Sequence, residues 1–454
     1  MRIIQVAHSF IPYTFAGTEV YTYNLAKELT KEDEVVIFFR IKDFRLKEYE
    51  VVEKKIDGIK TLAINHTFNQ CRSFKETYQD HRIDDAFGRL LDKFMPDCVH
   101  IQHLLFLSLG IVAEAKKRNI PVIFTLNDYW LMCHRGQFIR QDLSLCNKPE
   151  PKHCLDCLKL QLSIKGNSMY YYNILRRIIP GPALQWLKCS YLGLATIRSR
   201  NEDYFSILLK DRQEAVAKML KEVDLFISPS HFMYNRFLEF GIPASKIRYI
   251  PHGIPYPNPN YSFANDAKNK FRFGFIGTLL PMKGVDVLLN AFSQIKNENL
   301  RLLIFGKFYP YAGYEGYVNI VRKEAKKDNR IRLVGGFDHR EVGKVFSQFD
   351  CLVVPSIWPE NSPLVIAEAH LHRKAVVASR IGGIPELIED GRNGLLVTPG
   401  DVQDLKDTLQ RLVDDPSVVE ELRDAPFRIK SIEEHAAEIE FIYTHFRESR
   451  VAGV

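Results

Sequence analysis

Short apolar runs that alternate with amphipathic stretches set the strongest limit on how this chain can fold. In the first 130 residues the strand candidates lie at 3–7, 34–39, 98–102 and 122–126. Stretches of helical periodicity, such as 18–29 and 82–94, separate them, and the same rhythm resumes beyond residue 271. Strands that alternate with helices are typical of a parallel sheet with helical crossovers. The sequence therefore predicts an α/β protein with two doubly wound, Rossmann-like domains.

The length of 454 residues supports more than one domain, because a single core rarely grows beyond about 250–300 residues. Residues 251–270 contain four prolines together with Asn, Gly and Ser, a composition that breaks helices and strands. We expect an N-terminal domain over 1–255, with an insertion at about 130–220 where the alternation fails. A C-terminal domain over 271–430 follows, and then a helix over 431–454 that packs back toward the first domain. Two such domains would face each other across a cleft, since ligands of open α/β sheets bind at the strand ends.

Charge and composition narrow the class of protein. With 46% hydrophobic and 26% charged residues, and no long apolar stretch, the sequence predicts a soluble chain. Its N-terminus reads as a buried strand and lacks the order of a signal peptide, so we expect the chain in the cytoplasm. The net charge of +7 is concentrated at 160–200, which has six basic residues, no acidic ones and several aromatic ones. This basic aromatic segment suits contact with the anionic inner face of a membrane, or with a charged glycan. The alternative is an insertion with solvated charges. No nucleic-acid motif accompanies the charge, so we expect no nucleic-acid partner.

Four cysteines fall within 25 residues of the predicted insertion. They are Cys133, Cys146, Cys154 and Cys157. Four thiolates that include a Cys-x2-Cys pair suit a closed, tetrahedral structural zinc site. Their spacing fits no standard zinc finger, so reduced thiols that pack a loop are the alternative. His134 and His153 are substitute ligands.

The polar residues that follow the predicted strands are the candidates for chemistry. Gly17 precedes the first helix, and Lys283 precedes the first helix of the C-terminal half. A lysine before a helix N-terminus suggests an anion between them. Glu360 lies in a loop after a strand, and Glu368 falls on an apolar helix face, where a carboxylate needs a partner. Three of these residues also have a purely structural interpretation. Gly17 would then serve a tight turn, and Lys283 and Glu360 would be solvated loop residues.

Three segments carry a family pattern: Gly277-Thr278 with Lys283-Gly284, the pair Glu360 and Glu368 eight positions apart, and the block from Ile381-Gly382-Gly383 to Val397. Together they resemble glycosyltransferase family 4, the retaining group 1 glycosyltransferases of GT-B fold. The resemblance implies a GT-B architecture and a nucleotide-sugar donor, and it implies that catalysis requires no metal or other cofactor.

The resemblance also implies roles for individual residues. Lys283 would bind the diphosphate, and Glu368 the ribose. Glu360 and the backbone from Asn361 through Ser362 to Leu364 would hold the donor sugar and phosphate, and Gly17 would lie in a loop near the leaving group.

Two positions depart from the family pattern. Thr278 stands where the family usually has Arg, and Asn127 stands where it tends to have His. Asn127 can bond a sugar hydroxyl, but it cannot titrate as a base. The predicted function is transfer of a hexose-type sugar from a nucleoside diphosphate to a glycan or lipid-linked acceptor, in cell-surface polysaccharide synthesis. A catalytically silent glycan-binding or partner protein and a sugar-nucleotide epimerase are the alternatives.

Overall fold

The computed structural model describes residues 1–140, 142–165, 202–257, 271–309, 311 and 314–451. The side chains of the basic aromatic segment, and with them the predicted membrane contact, lie outside this part of the chain. Among the helices of the described residues, none has both the length and the apolarity needed to cross a membrane.

The first sheet has eight strands in the order β3-β4-β2-β1-β5-β6-β7-β8. They are β1 (Arg2–Ala7), β2 (Glu34–Ile41), β3 (Val51–Ile56), β4 (Ile59–Asn65), β5 (Cys98–Ile101), β6 (Val122–Thr125), β7 (Leu225–Ser228) and β8 (Ile247–Tyr249). Strands β1, β2, β4, β5 and β6 pair in parallel, whereas β3 joins β4 as an antiparallel hairpin.

The second sheet has six parallel strands in the order β11-β10-β9-β12-β13-β14. They are β9 (Phe271–Ile276), β10 (Leu300–Phe305), β11 (Ile331–Gly335), β12 (Cys351–Val354), β13 (Ala375–Ser379) and β14 (Leu395–Val397). The predicted fold class, α/β with two doubly wound parallel sheets, is confirmed.

Helices flank both sheets. The first group is α1 (Gly17–Leu29), α2 (His81–Phe94), α3 (Gly110–Lys116), α4 (Pro151–Lys165), α5 (Glu202–Glu222) and α6 (His231–Phe240). The second is α7 (Val285–Ser293), α8 (Tyr317–Ala325), α9 (Val342–Phe346), α10 (Leu364–Leu371), α11 (Val402–Asp414), α12 (Pro416–Asp424) and α13 (Ile432–Val451).

The chain divides into two compact units. One contains Met1–Tyr13, Leu29–Phe226 and Tyr443–Val454, and the other contains Thr14–Glu28 and Ile227–Ile442. In the first unit, the hydroxyl of Tyr443 in the second half of α13 lies 2.6 Å from Nδ1 of His100 on β5. In the second, the hydroxyl of Tyr21 lies 2.9 Å from Nε2 of His435 on α13.

Burial on both faces explains why the strands read as continuous apolar runs. Ile3, Ile4 and Val6 of β1 are fully buried, as central parallel strands require. Gly274 in β9 is a packing requirement, because a Cβ there would lie 2.3 Å from the ring of Phe349.

Two helices of the second unit begin without a side-chain cap. Asp338 caps a single 3₁₀ turn at His339–Glu341 by accepting a bond from Arg340 N, and α9 begins only at Val342. The carboxylate of Glu341 pairs with Lys344. Likewise α10 begins at Leu364 after Pro363, and no side chain caps it.

Each sheet has one place where the connections leave in opposite directions. This place lies between β1 and β5 in the first sheet and between β9 and β12 in the second. Ligands of doubly wound sheets bind beyond the carboxyl ends of the strands at such points.

Candidate active site

The loops that follow β9 and β12 meet in close backbone contact. Ile357 N donates to Met282 O at 2.9 Å. Gly284 has φ +67°, and a Cβ on it would lie 1.9 Å from Pro355 O. Only glycine fits this approach, so the turn that carries Lys283 lies directly against the loop that carries Glu360.

Lys283 and Glu360 form an ion pair at this point. Lys283 Nζ lies 2.6 Å from Glu360 Oε1, which also accepts a 2.6 Å bond from Ser356 Oγ. The Glu360 carboxylate is almost fully buried, and Lys283 is a quarter exposed. The ammonium also lies 5.1 Å from the ring centroid of Trp358. A cation that is fixed yet reachable from solvent is suited to an anionic ligand.

The loop from Ile381 to Leu387 fixes the backbone of Glu360. Gly383 N donates to Glu360 O at 2.7 Å. A Cβ on Gly382, which has φ +62°, would lie 2.2 Å from Glu360 O. Gly382 and Gly383 are therefore needed for packing against the loop that carries Glu360.

Glu368 has a partner that the sequence did not reveal. Its Oε1 lies 2.9 Å from Nε2 of His339, and Glu368 is 5% exposed. Burial lowers the pKa of His339, but the charge and hydrogen bond of Glu368, with Asp338 nearby, outweigh it and leave that pKa raised. The expectation that this carboxylate needs compensation is met by a residue 29 positions earlier in the chain.

Asn361 is held from outside its own loop. Its Oδ1 accepts a 2.6 Å bond from Ser230 Oγ, the N-cap of α6. Glu386 completes this cap, since its carboxylate accepts bonds from the backbone N–H groups of His231 and Phe232, both at 2.7 Å. Ser362 and Leu364 lie at the N-terminal end of α10.

Two further predicted residues lie at the ends of elements. Thr278 follows β9, and its carbonyl accepts a bond from Leu280 N. Gly17 begins α1, and a Cβ there would meet nothing within 4 Å. Lys307, which the sequence did not single out, follows β10. Its Nζ lies 5.7 Å from the ring centroid of Phe15, and its carbonyl accepts a bond from Leu279 N.

Asn127 belongs to the edge of the first sheet, in the loop after β6. Its Nδ2 donates to Gln102 O at 2.8 Å, which ties it to the end of β5. The neighbouring Asp128 accepts from Nε2 of His103 at 2.9 Å, a pair that sequence reasoning missed because β5 and β6 are distant in the chain.

The four clustered cysteines come near one another but do not form a metal centre. Burial, reinforced by the nearby thiols of Cys133, Cys146 and Cys157, raises the pKa of Cys154 to about 12. Within the described ranges, no set of three or more His, Cys, Asp or Glu side chains is placed to hold a metal ion. His134 and His153 do not complete one either. The structural zinc expected from the cysteine spacing is therefore not supported.

Both halves of the chain match models of known protein families. Residues 15–149 match the model described as Glycosyltransferase Family 4, and residues 270–415 match the one described as Glycosyl transferases group 1. The chain is 38% identical over 146 residues, 31% of its length, to D-inositol 3-phosphate glycosyltransferase of Corynebacterium efficiens. It is 24% identical over 45% of its length to the amylovoran biosynthesis glycosyltransferase AmsK of Erwinia amylovora. These matches span 34% and 51% of the two relatives.

Solved structures agree over the whole chain. Sucrose-phosphate synthase from Thermosynechococcus elongatus has a TM-score of 0.67 and 18% identity, with 99% of each chain covered. Anabaena HepE in complex with UDP-glucose has a TM-score of 0.63 and 17% identity, with both chains fully covered. The GT-B fold that these neighbours share agrees with the two sheets described above. The chain thus belongs to the group 1 glycosyltransferases that carry a family 4 N-terminal domain.

Proposed function

We propose that this chain is a retaining, metal-independent glycosyltransferase that moves a hexose-type sugar from a nucleoside diphosphate to a glycan or lipid-linked acceptor. The observation that carries the proposal is the Lys283–Glu360 ion pair at the β9/β12 crossover point. Eight positions beyond Glu360, the buried Glu368 lies on the helix that follows the same loop.

Each of these groups matches one part of a sugar nucleotide. The Lys283 ammonium would bind the diphosphate, since charge-assisted hydrogen bonds to phosphate are strong. The Glu368 carboxylate, held by His339, would accept bonds from the two ribose hydroxyls. Glu360 uses Oε1 for Lys283 and Ser356, so Oε2 would accept from a hydroxyl of the donor sugar. That HepE was solved with UDP-glucose supports a nucleotide-sugar donor.

The residues between the two glutamates would complete the donor site. Asn361 and Ser362 would present backbone groups to the sugar and phosphate, and Leu364 begins a helix whose N-terminus favours an anion. Thr278, with a neutral hydroxyl, would contribute a hydrogen bond but no charge. Lys307 lies beside this strand end and would supply a second cation.

In the proposed reaction the bond between the sugar C1 and the diphosphate oxygen breaks. The acceptor oxygen forms a bond to C1 from the same face, and its proton passes to the departing phosphate. Lys283 and the α10 N-terminus stabilise the charge that develops on the diphosphate, which is how fixed dipoles and cations lower such barriers. Asn127 would orient a hydroxyl by hydrogen bonding, and Gly17 would leave room for the leaving group. No metal takes part in this scheme.

The relatives support a role in the synthesis of cell-surface polysaccharide. One is an amylovoran biosynthesis glycosyltransferase, and another is a lipopolysaccharide 1,2-N-acetylglucosaminetransferase that is 30% identical over 214 residues. A glycan or lipid-linked acceptor is consistent with both names.

A donor screen with product detection tests the proposal. The purified chain is incubated with a panel of sugar nucleotides, and released nucleoside diphosphate, transferred sugar and isomerised donor are measured separately. We expect diphosphate release that falls at least about a hundredfold in Lys283→Ala and in Glu368→Ala, because such electrostatic contacts are worth that much in catalysis. Lys327→Ala, on a lysine that is 59% exposed, is the matched control.

The outcomes also separate the alternatives. Isomerised donor without transfer would identify an epimerase. Binding of a glycan with no turnover of any donor would identify a silent binding protein. Equal activity in Lys283→Ala and Lys327→Ala would contradict the assigned donor site.

A further inference from the structure

The carboxyl edge of the first sheet carries a second group of polar side chains. His8 follows β1 and His103 follows β5, and their ring centroids are 4.6 Å apart at the β1/β5 crossover point. His103 Nδ1 accepts a 2.9 Å bond from Leu105 N, and its Nε2 faces Asp128 Oδ2 at 2.9 Å. His103 is therefore fixed as the tautomer that donates to Asp128, and its ring is tilted by 56° against that of His8.

Arg40 joins this group from the end of β2, the strand beside β1. Its guanidinium carbon lies between two rings, 5.1 Å from the Phe68 centroid and 5.0 Å from that of Phe106. Nε donates to His66 O at 2.7 Å, the one hydrogen bond that its guanidinium makes to the part of the chain described. Phe106 is three residues after His103, so the aromatic support of Arg40 and the histidine pair come from one loop.

The carboxylate of Glu48, whose charge acts on Arg40, makes no direct contact with its guanidinium. Glu48 accepts bonds at Oε1 from His66 Nδ1, Thr67 N and Phe68 N, and at Oε2 from Thr67 Oγ. These four donors occupy its two oxygens. The two terminal nitrogens of Arg40 therefore remain suited to a different oxyanion, in the forked geometry that arginine offers to phosphate.

The electrostatics of these groups favour an anionic ligand. Burial lowers the pKa of Arg40 to about 10, and the charge of Glu48 only partly opposes this. Burial also lowers the pKa of His8, and His103 and Arg40 lower it further. His103 and Arg40 thus both act on His8 at one edge of the sheet, and an anion bound there would stabilise the charged guanidinium of Arg40.

We propose that Arg40, with His8 and the His103–Asp128 pair beside it, forms a subsite for a phosphoryl group carried by the acceptor. The inference rests on the proposed function, because it assigns the edge of the first sheet to the acceptor. The phosphoryl group comes either from a soluble sugar phosphate or from a lipid-linked sugar. The contact to Arg40 is the same in both cases.

Calorimetric titration tests the subsite. The probes are inorganic phosphate, glucose 1-phosphate, glucose, and phosphatidylcholine vesicles with and without a polyprenyl phosphate. We expect glucose 1-phosphate or the polyprenyl phosphate vesicles to bind and glucose not to bind. In Arg40→Gln the affinity falls roughly ten- to a hundredfold, as loss of charge-assisted hydrogen bonds predicts. Binding of the soluble phosphate identifies the first source, and binding only of the vesicles identifies the second.

Two further variants keep the result unambiguous. Arg45→Gln is the matched control, since Arg45 is 89% exposed and pairs with Asp43. Arg40→Lys keeps the charge but loses the fork, so it should fold even where Arg40→Gln does not, and it should bind several-fold more weakly. Equal phosphate affinity in wild type and either Arg40 variant overturns the proposal, as does the absence of binding by every phosphate probe.

The donor site is tested in the same series. Phosphate binding that disappears in Lys283→Gln and persists in Arg40→Gln belongs to the donor site, and this result also overturns the subsite. UDP binding is measured in parallel with the Arg40 variants. If the Arg40 variants bind UDP normally and their phosphate affinity is unchanged, only the acceptor subsite is refuted. The absence of any nucleotide binding refutes the proposed function.

Discussion

Replacement of His339 by Gln should destabilise the second unit in a manner that depends on pH. His339 and Glu368 are in contact at 2.9 Å, and their side chains are 24% and 7% exposed. The raised pKa of His339 means that the folded protein holds this proton more tightly than the unfolded chain does. Such a group stabilises fully below its unfolded pKa, about 6.5, and the stabilisation is lost as pH rises through the folded pKa.

The size of the loss in unfolding free energy follows from the buried carboxylate that His339→Gln leaves without its partner. Glu368 would stay buried without a cationic partner, and a buried charged group that loses its hydrogen bond costs roughly 1–3 kcal/mol. We expect that difference in unfolding free energy at pH 5.5, and about 1 kcal/mol or less at pH 8.5, where only a neutral hydrogen bond is lost. The difference in unfolding free energy should therefore shrink as pH rises, because wild type loses the stabilisation that the variant lacks.

Urea unfolding followed by circular dichroism at the two pH values measures this difference. His81→Gln, at an exposed position of α2, is the control and should match wild type at both. A His339→Gln defect of equal size at pH 5.5 and 8.5 would refute the reasoning. So would a defect that grows with pH.

Further predictions concern the loop that fixes Glu360. Gly382→Ala should cost roughly 1–3 kcal/mol more than Gly391→Ala in thermal unfolding, because both glycines have positive φ but only the first would bring a Cβ against backbone. Equal costs would show that φ alone matters. Glu386→Gln should lower stability by about 1 kcal/mol, since it weakens the cap of α6. An unchanged melting temperature would count against that cap.

Buried strands were predictable because their side chains are apolar on both faces. The runs that begin at Ile3, Cys98 and Val122 all form strands of the first sheet. The hairpin of β3 and β4 was missed because Glu53, Lys54 and Lys55 make β3 read as polar. Its turn, Asp57-Gly58, has positive φ at both residues. Asp-Gly between two short runs is a recognised hairpin signal and would have revealed it.

The candidate site was predictable where neighbours in sequence carry it. Glu360 and Glu368 share one loop and helix, and Lys283 lies in the turn that packs against that loop. The partners that hold them come from distant segments: His339 contacts Glu368, and Ser230 contacts Asn361. Such contacts follow from tertiary packing, which local periodicity does not encode.

Calorimetric titration of UDP into the full chain tests the central claim most directly. The account predicts saturable binding at one site, weakened roughly tenfold or more in Lys283→Gln and in Glu368→Gln, and unchanged in Lys327→Gln. Repetition in the presence of a chelator should leave the wild-type affinity unchanged. Binding of equal strength in Lys283→Gln, Glu368→Gln and wild type would contradict the assignment of the β9/β12 crossover point as the donor site.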